Sequence, residues 1–292
     1  MRSIKLLFFV PAIYFCFLLS GMSFAGCTKT TTVHDTTIVT QRDTVIQKDT
    51  LTIRDTINNC NCNLTDGLVA YFNFNGGNLN DSSGHNNNIT FNNATKTADR
   101  FGIPDNAFLF DGSSSYMTVA NSASLNPDSI TIFAIIKVNG FYIGSCSGNQ
   151  VLSKGYPYDV NGFYGVQFFD YSTGCSNTPN LNNETFSGIY GDDIPQGAGA
   201  GSAVDSVKVK TGQWYYLAYT YDGHTAKFYI NGQLKDNVTK NVAFTANAND
   251  VFIGKHENPI YPYYLNGVID EIRIYNRALC QTAISQLSDL KE

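Results

Sequence analysis

Charge is scarce in this chain. Asp, Glu, Lys and Arg make up 15% of its 292 residues, where average soluble chains carry about 25%. The 19 Lys and Arg form no stripe, and against 24 Asp and Glu they leave a net charge of -5. Nucleic acid needs clustered cations to neutralise its phosphates, so it is excluded as a partner. Histidine is as thin: His34, His85, His224 and His256 are scattered, without metal-ligand spacing. Helical periodicity is almost missing before Ala278. The glycine run at 197–201 follows no strand and opens no helix, which excludes a phosphate cradle. What is present instead is 13% aromatic residues and abundant Asn, Thr, Ser and Gly, a surface solvated by uncharged groups that suits an exported protein.

The amino terminus agrees. Arg2 and Lys5 precede an apolar block at 6–19, and small residues close the segment before Cys27. This is a secretory leader, residues 1–26, rather than a spanning helix. Ala25-Gly26 before Cys27 resembles the lipobox of bacterial lipoproteins, which implies acylation of the Cys27 thiol and cleavage just before it. Each buried acyl methylene adds roughly 0.8 kcal/mol, enough to hold the chain on a bacterial membrane, the outer membrane or cell surface, without crossing it. The alternative is ordinary cleavage that leaves a thiol.

Residues 27–63 are a Thr/Asp-rich repeat. Arg42-Asp43-Thr44, Lys48-Asp49-Thr50 and Arg54-Asp55-Thr56 recur at an interval of six, after His34-Asp35-Thr36. Six residues keep the triplets in phase on an extended chain, whereas a helix would rotate them by about 120° per repeat. Neither side of the extended segment is a continuous apolar stripe. It reads as a stalk of at most ~110–120 Å. Two further readings stay open. The unpaired edges could join several chains into a homo-oligomeric stem. The triplets also continue as Asp-Thr-aliphatic or Asp-Thr-Thr, similar to the acceptor of an O-glycosylation system in one group of Gram-negative bacteria, which implies glycans on Thr36, Thr44, Thr50 and Thr56.

From residue 64 to 292 strand periodicity dominates. Leu68, Ala70, Phe72 and Phe74 alternate with Val69, Tyr71 and Asn73, and Ile130, Ile132, Ala134, Ile136 and Val138 do so with Thr131, Phe133, Ile135 and Lys137. Ala226, Phe228 and Ile230 lead into Asn231-Gly232, the pair a tight hairpin wants. About a dozen such runs predict an all-β, two-sheet antiparallel sandwich. The blocks "GLVAYFNFNGGNLNDSSGHNN", "AFLFDGSSSYMTVANSASLN", "SITIFAIIKV", "QWYYLAYTYDGHTAKFYINGQ" and "LNGVIDEIRIYNRALC" resemble, in this order, those of the laminin-G-like, concanavalin A-like lectin/glucanase superfamily. The resemblance implies a jelly roll whose first and last strands are neighbours, a closing helix at about 278–290, and a mostly non-catalytic role in binding glycans or proteins.

Glycanases of that superfamily carry spaced acids on one strand. Here Asp270 and Glu271 are adjacent, expected on opposite faces of their strand, and so cannot be the paired carboxylates of a glycosidase. Gly144-Ser145-Cys146-Ser147-Gly148 imitates a nucleophile elbow but runs on into a strand. No enzyme is expected. By parity Asp270 shares the core face with Val268, Ile272 and Ile274, and a buried carboxylate needs donors, a counter-charge or a cation. With neighbouring first and last strands, the 80–84 loop would bring Asp81 close, and calcium is expected at Asp81 and Asp270; the alternative is that loop amides satisfy Asp270. Ligand contacts are expected from Tyr156, Tyr158, Tyr164, Tyr261, Tyr263 and Tyr264, whose rings suit sugar faces, with Phe163 as plain core. Cys146 and Cys175 are expected to form a disulfide, and Cys60 or Cys62 to approach Cys280. The leading reading is a lipid-anchored module that binds glycan or a cell-surface protein. The alternatives are an adhesive protein with an oligomerising stalk and, disfavoured, a glycan hydrolase.

Overall fold

The computed structural model describes residues 62–144, 148–155, 162–169, 184–192, 203–242 and 244–290. The leader, Cys27, the repeat with Thr36, Thr44, Thr50 and Thr56, and also Cys60, Cys146, Cys175, Tyr156 and Tyr158, lie outside the described residues. Asn63–Glu292 is one compact unit.

In chain order its strands are β1 (Leu68–Phe72), β2 (Ile89–Asn92), β3 (Thr95–Thr97), β4 (Ala107–Asp111), β5 (Met117–Val119), β6 (Ile130–Val138), β7 (Asn149–Lys154), β8 (Gly162–Phe169), β9 (Thr185–Asp192), β10 (Ala203–Lys208), β11 (Trp214–Tyr221), β12 (Thr225–Ile230), β13 (Gln233–Thr239), β14 (Val251–Ile253) and β15 (Asn266–Tyr275). They form two antiparallel sheets. One runs β13-β12-β11-β6-β15-β4-β3 with β1 also on β15; the other runs β10-β9-β8-β7-β14-β5-β2. The sequence expectation of a two-sheet sandwich holds, as does the pairing of the first strand with the last. Asn231 (φ 51) and Gly232 (φ 75) both take the left-handed backbone of a two-residue hairpin turn between Ile230 and Gln233.

The core lies between the sheets. Ile130, Ile132, Ala134, Ile136 and Val138 of β6 belong to one apolar cluster with Tyr164, Val166 and Phe168 of β8 and Leu217 and Tyr219 of β11. The other face of β6 is covered too. Phe133 and Ile135, with Ala218, Tyr229 and Tyr275, meet Leu279, Ala283, Ile284 and Leu287 of the closing segment. Ala283, Ile284 and Leu287 lie in helix α1 (Gln281–Asp289), at helical spacing on one face. Each fully buried Ile or Leu contributes roughly 1.5–3 kcal/mol, so packing rather than intrinsic propensity holds so short a helix.

One feature of β15 overturns a parity expectation. The register shifts between Ile269 and Glu271, which marks a bulge where one extra residue opposes the partner strand. Ile269, Ile272 and Ile274 therefore enter the inter-sheet core, and Val268 does not. Asp270 sits in the bulge, where the edge of β15 passes from β4, paired through Ile269, to β1, paired from Ile272. Parity counted along an unbroken strand cannot foresee that shift.

Candidate functional site

The outer face of the second sheet carries the aromatic surface. Met117 and Val119 of β5 and Val251 and Ile253 of β14 turn into the core, so alternation sends Tyr116 and Phe252 outward. Their rings lie 6.2 Å apart, and Phe91, 42% exposed at β2, stacks on Tyr116 at 4.7 Å. The turn before β5 fixes Tyr116: Asp111 Oδ1 accepts the N–H groups of Ser113, Ser114 and Ser115, and Asn93 Oδ1 accepts that of Tyr116 at 2.7 Å.

A loop at 255–264 lies against the same face. Its neck is closed by Leu265 N–H to Gly254 O (2.9 Å) and His256 N–H to Pro262 O (2.6 Å), and Gln150 N–H of β7 donates to Tyr263 O (2.8 Å). Gly254 makes the turn possible, since its φ is 79° and a Cβ there would sit 2.2 Å from the Phe110 ring. Tyr263 also adopts a left-handed backbone, φ 46°, an unfavourable state for a bulky residue that the closed loop maintains. Gly148 leaves room for its ring, because a Cβ would meet Tyr263 at 2.8 Å. The result is a continuous strip. Tyr142 lies 6.4 Å from Tyr264 and 6.3 Å from Tyr263, and Tyr263 lies 6.2 Å from Tyr261 and 5.8 Å from His256. These tyrosines are half-buried, while Ile143 and Ile260 at the loop tips stand out, 86% and 74% exposed.

Two basic side chains, Lys255 and His256, sit within the strip. The Lys255 ammonium lies 4.5 Å from the Tyr116 ring centre, 5.1 Å from Phe252 and 5.9 Å from Tyr264. Burial lowers its pKa from the ordinary lysine value, partly offset by Glu257. His256 is buried behind it against Phe163, 5.9 Å between rings. Burial, and then the neighbouring Lys255 charge, depress the His256 pKa to about 4, so the imidazole is neutral and its Nδ1 accepts the Asn258 N–H at 3.2 Å.

Of the tyrosines expected to bind, the structure brings Tyr261, Tyr263 and Tyr264 together and removes Tyr164. Tyr164 points into the core with Val166 and Phe168 and donates its hydroxyl to Leu125 O at 3.1 Å. Its neighbour Phe163, expected as core, is indeed buried, 1% exposed, on the face of β8 covered by His256. Sequence reasoning missed Phe91, Tyr116, Tyr142, Phe252 and Lys255. The alternation of Met117 and Val119, and of Val251 and Ile253, was the signal for Tyr116 and Phe252. A cleft of about 310 Å³ lined by Val207, Lys208, Gln213, Tyr215 and Lys235 contains none of these rings.

The two acids take separate sets of donors. Asp81 Oδ1 accepts the Tyr71 and Ser83 N–H groups (2.9 and 2.8 Å), and its Oδ2 the Ser83 hydroxyl and Asn87 N–H (2.8 and 3.0 Å). Its loop doubles back beside Tyr71, whose register partner is Arg273 rather than Asp270. Asp270 accepts from Arg100, whose backbone N–H reaches Oδ2 at 2.9 Å and Nη1 reaches Oδ1 at 2.8 Å. Each carboxylate has its own donors, and Asp270 already faces a fixed cation, so this pair does not fit a shared calcium ion. Among the described residues no group of three His, Cys, Asp or Glu could hold a metal. Glu271 accepts from Arg273 Nε at 2.6 Å.

The family model for the concanavalin A-like lectin/glucanases superfamily matches residues 111–285. None of the curated proteins matches the chain. Among solved structures, domain 4 of AbnA, a GH43 extracellular arabinanase from Geobacillus stearothermophilus, in complex with arabinotriose, is 21% identical. That match covers 76% of this chain and 98% of that one at a TM-score of 0.51. The binding domain of Paraclostridial Mosquitocidal Protein 1 is 16% identical, with 77% and 52% covered and a TM-score of 0.58. The binding domain of Botulinum Neurotoxin DC in complex with SialylT is 12% identical, with 77% and 52% covered and a TM-score of 0.53. The chain thus spans about half the length of these toxin domains, and the likeness is one of fold.

Proposed function

The chain belongs to the concanavalin A-like lectin/glucanases superfamily, and from that premise we propose that it is a saccharide-binding module. The observation that carries this reading is the strip formed by Tyr116, Phe252, Tyr264, Tyr142, Tyr263 and Tyr261. Half-exposed rings held on strand ends and in a closed loop offer flat apolar faces to the C–H faces of a sugar ring, and the hydroxyls beside them offer hydrogen bonds. Because the loop fixes Tyr261, Tyr263 and Tyr264 beforehand, little of their side-chain entropy is lost on binding. Two structural neighbours with saccharide ligands, bound to arabinotriose and to SialylT, support the ligand class.

Binding without hydrolysis is part of the proposal. Asp270 and Glu271 are each engaged by an arginine at 2.8 and 2.6 Å, and a general acid or base needs a carboxyl free to exchange protons with substrate. The amino-terminal reading completes the picture: acyl chains on Cys27 would keep the module on a membrane, and the Thr/Asp repeat would hold it away from the surface. A glycan array probed with the full-length chain tests the central claim. Binding to a defined set of saccharides is expected, weakened about ten-fold or more by Tyr264→Ala or Tyr142→Ala. An array without binders, or binding indifferent to both substitutions, overturns it.

A further inference from the structure

The cage around Lys255 is the least expected part of the strip. Cages of aromatic rings recruit cations from outside; this one already contains its own. Tyr116, Phe252 and Tyr264 present ring faces to the ammonium at 4.5 to 5.9 Å. A ring face attracts positive charge but accepts hydrogen bonds only weakly. Among the described residues no carbonyl, hydroxyl or carboxylate accepts from Lys255 Nζ, and it makes none of the ion pairs that engage Arg100, Arg273 and Arg277. Glu257 influences it through its field. Three N–H donors are thus held in place, half-buried and unspent.

A ligand laid on these rings would strip water from that ammonium. A neutral sugar hydroxyl can replace a water molecule, but only an anion compensates the charge that burial leaves exposed. A cationic ligand is disfavoured, because its place among the rings is taken by a like charge. Resting on the saccharide reading above, we propose that Lys255 makes the strip selective for carboxylated saccharides, those bearing uronic or sialic acid residues, over neutral ones. The carboxylate accepts from Nζ while the sugar ring lies on Tyr264 or Tyr116. Tyr142, Tyr263 and Tyr261 extend the surface for the next residues of the chain.

The test uses the full-length chain against an array of carboxylated, carboxyl-reduced, sulfated and neutral oligosaccharides, followed by calorimetry on the best carboxylated binder and its carboxyl-reduced counterpart. Reduction keeps the ring faces and removes the charge, so affinity is expected to fall about ten-fold or more. Lys255→Gln is expected to bring the carboxylated probe down to the level of the reduced one, and Lys255→Arg to restore the preference; thermal melts of both variants check that they fold. Equal affinity for the reduced probe, a preference for sulfated over carboxylated probes, or a gap that survives Lys255→Gln overturns the selectivity and leaves the saccharide reading standing. An array with no binder of any kind removes both.

Discussion

Arg100 and Asp270, 170 residues apart in the chain, are joined by two hydrogen bonds of 2.8 and 2.9 Å at the bulge of β15. Their side chains are only 3% and 4% exposed. Burial pushes the Asp270 carboxyl upward in pKa against the pull of Arg100, while the Phe101 and Tyr216 rings flank the guanidinium at 4.5 and 5.9 Å.

Removing one member leaves the other as an uncompensated buried charge. Arg100→Met and Asp270→Leu are each expected to cost roughly 3–5 kcal/mol, and the double variant clearly less than their sum. Denaturant titration of the four proteins measures this, and additive losses would show that the two residues act separately. Because Arg100 supplies the positive charge, a chelator is expected to leave the wild-type melting temperature unchanged; a fall that added calcium reverses would reinstate a metal.

His256 gives the site a pH signature. Its pKa falls from 6.5 unfolded to about 4 folded, so the fold binds the neutral form and the proton favours unfolding. The stability held above pH 6.5 is therefore lost progressively as pH falls towards 4. In melts across that window wild type should lose stability faster than His256→Gln, which has no proton to gain. Parallel curves would place the titration elsewhere.

Gly254 separates backbone strain from crowding. Gly254→Ala is expected to cost about 2 kcal/mol or more, because its positive φ is compounded by collision with Phe110. Gly84→Ala, also at positive φ but with nothing within 4 Å, should cost only about 1 kcal/mol. Equal losses would mean that the Phe110 ring moves aside freely. Saccharide binding should suffer in the first variant alone, since Gly254 sets the neck of the 255–264 loop.

For the amino terminus, mass spectrometry of the mature protein from its native host should find an acylated Cys27 as the first residue. Glycans are expected on Thr36, Thr44, Thr50 and Thr56. An unmodified terminus elsewhere, or an intact mass of bare polypeptide plus lipid, would remove the anchor or the glycans respectively.

The sandwich was readable because most of its strands alternate without interruption: β6, β11 and β12 bury the residues that period two selects. The failures occur on β15 and β8. At the β15 bulge Val268 leaves the core and Asp270 acquires a partner from the loop between β3 and β4. On β8 Tyr164, expected to bind, turns into the inter-sheet core. Tyr261, Tyr263 and Tyr264 were visible as a local cluster, but Lys255 was not. Its cage draws Tyr116, Phe252 and Tyr264 from three separate stretches, and only the antiparallel pairing of β5 with β14 brings the first two together.

The position of β15 has a consequence for how the molecule comes into being. This strand pairs with β6 along one edge and with β4 and β1 along the other, yet it is the last in chain order among the described strands. Until residues 266–275 are in place, β1 has no partner strand among those described, the sheet is split between β4 and β6, and Arg100 lacks its Asp270 partner. The sheet therefore closes through contacts distant in sequence, which form at a slow, topology-limited rate. A chain truncated before Asn266 should be protease-sensitive throughout, and restoring residues 266–275 should close both halves of the sheet in one step.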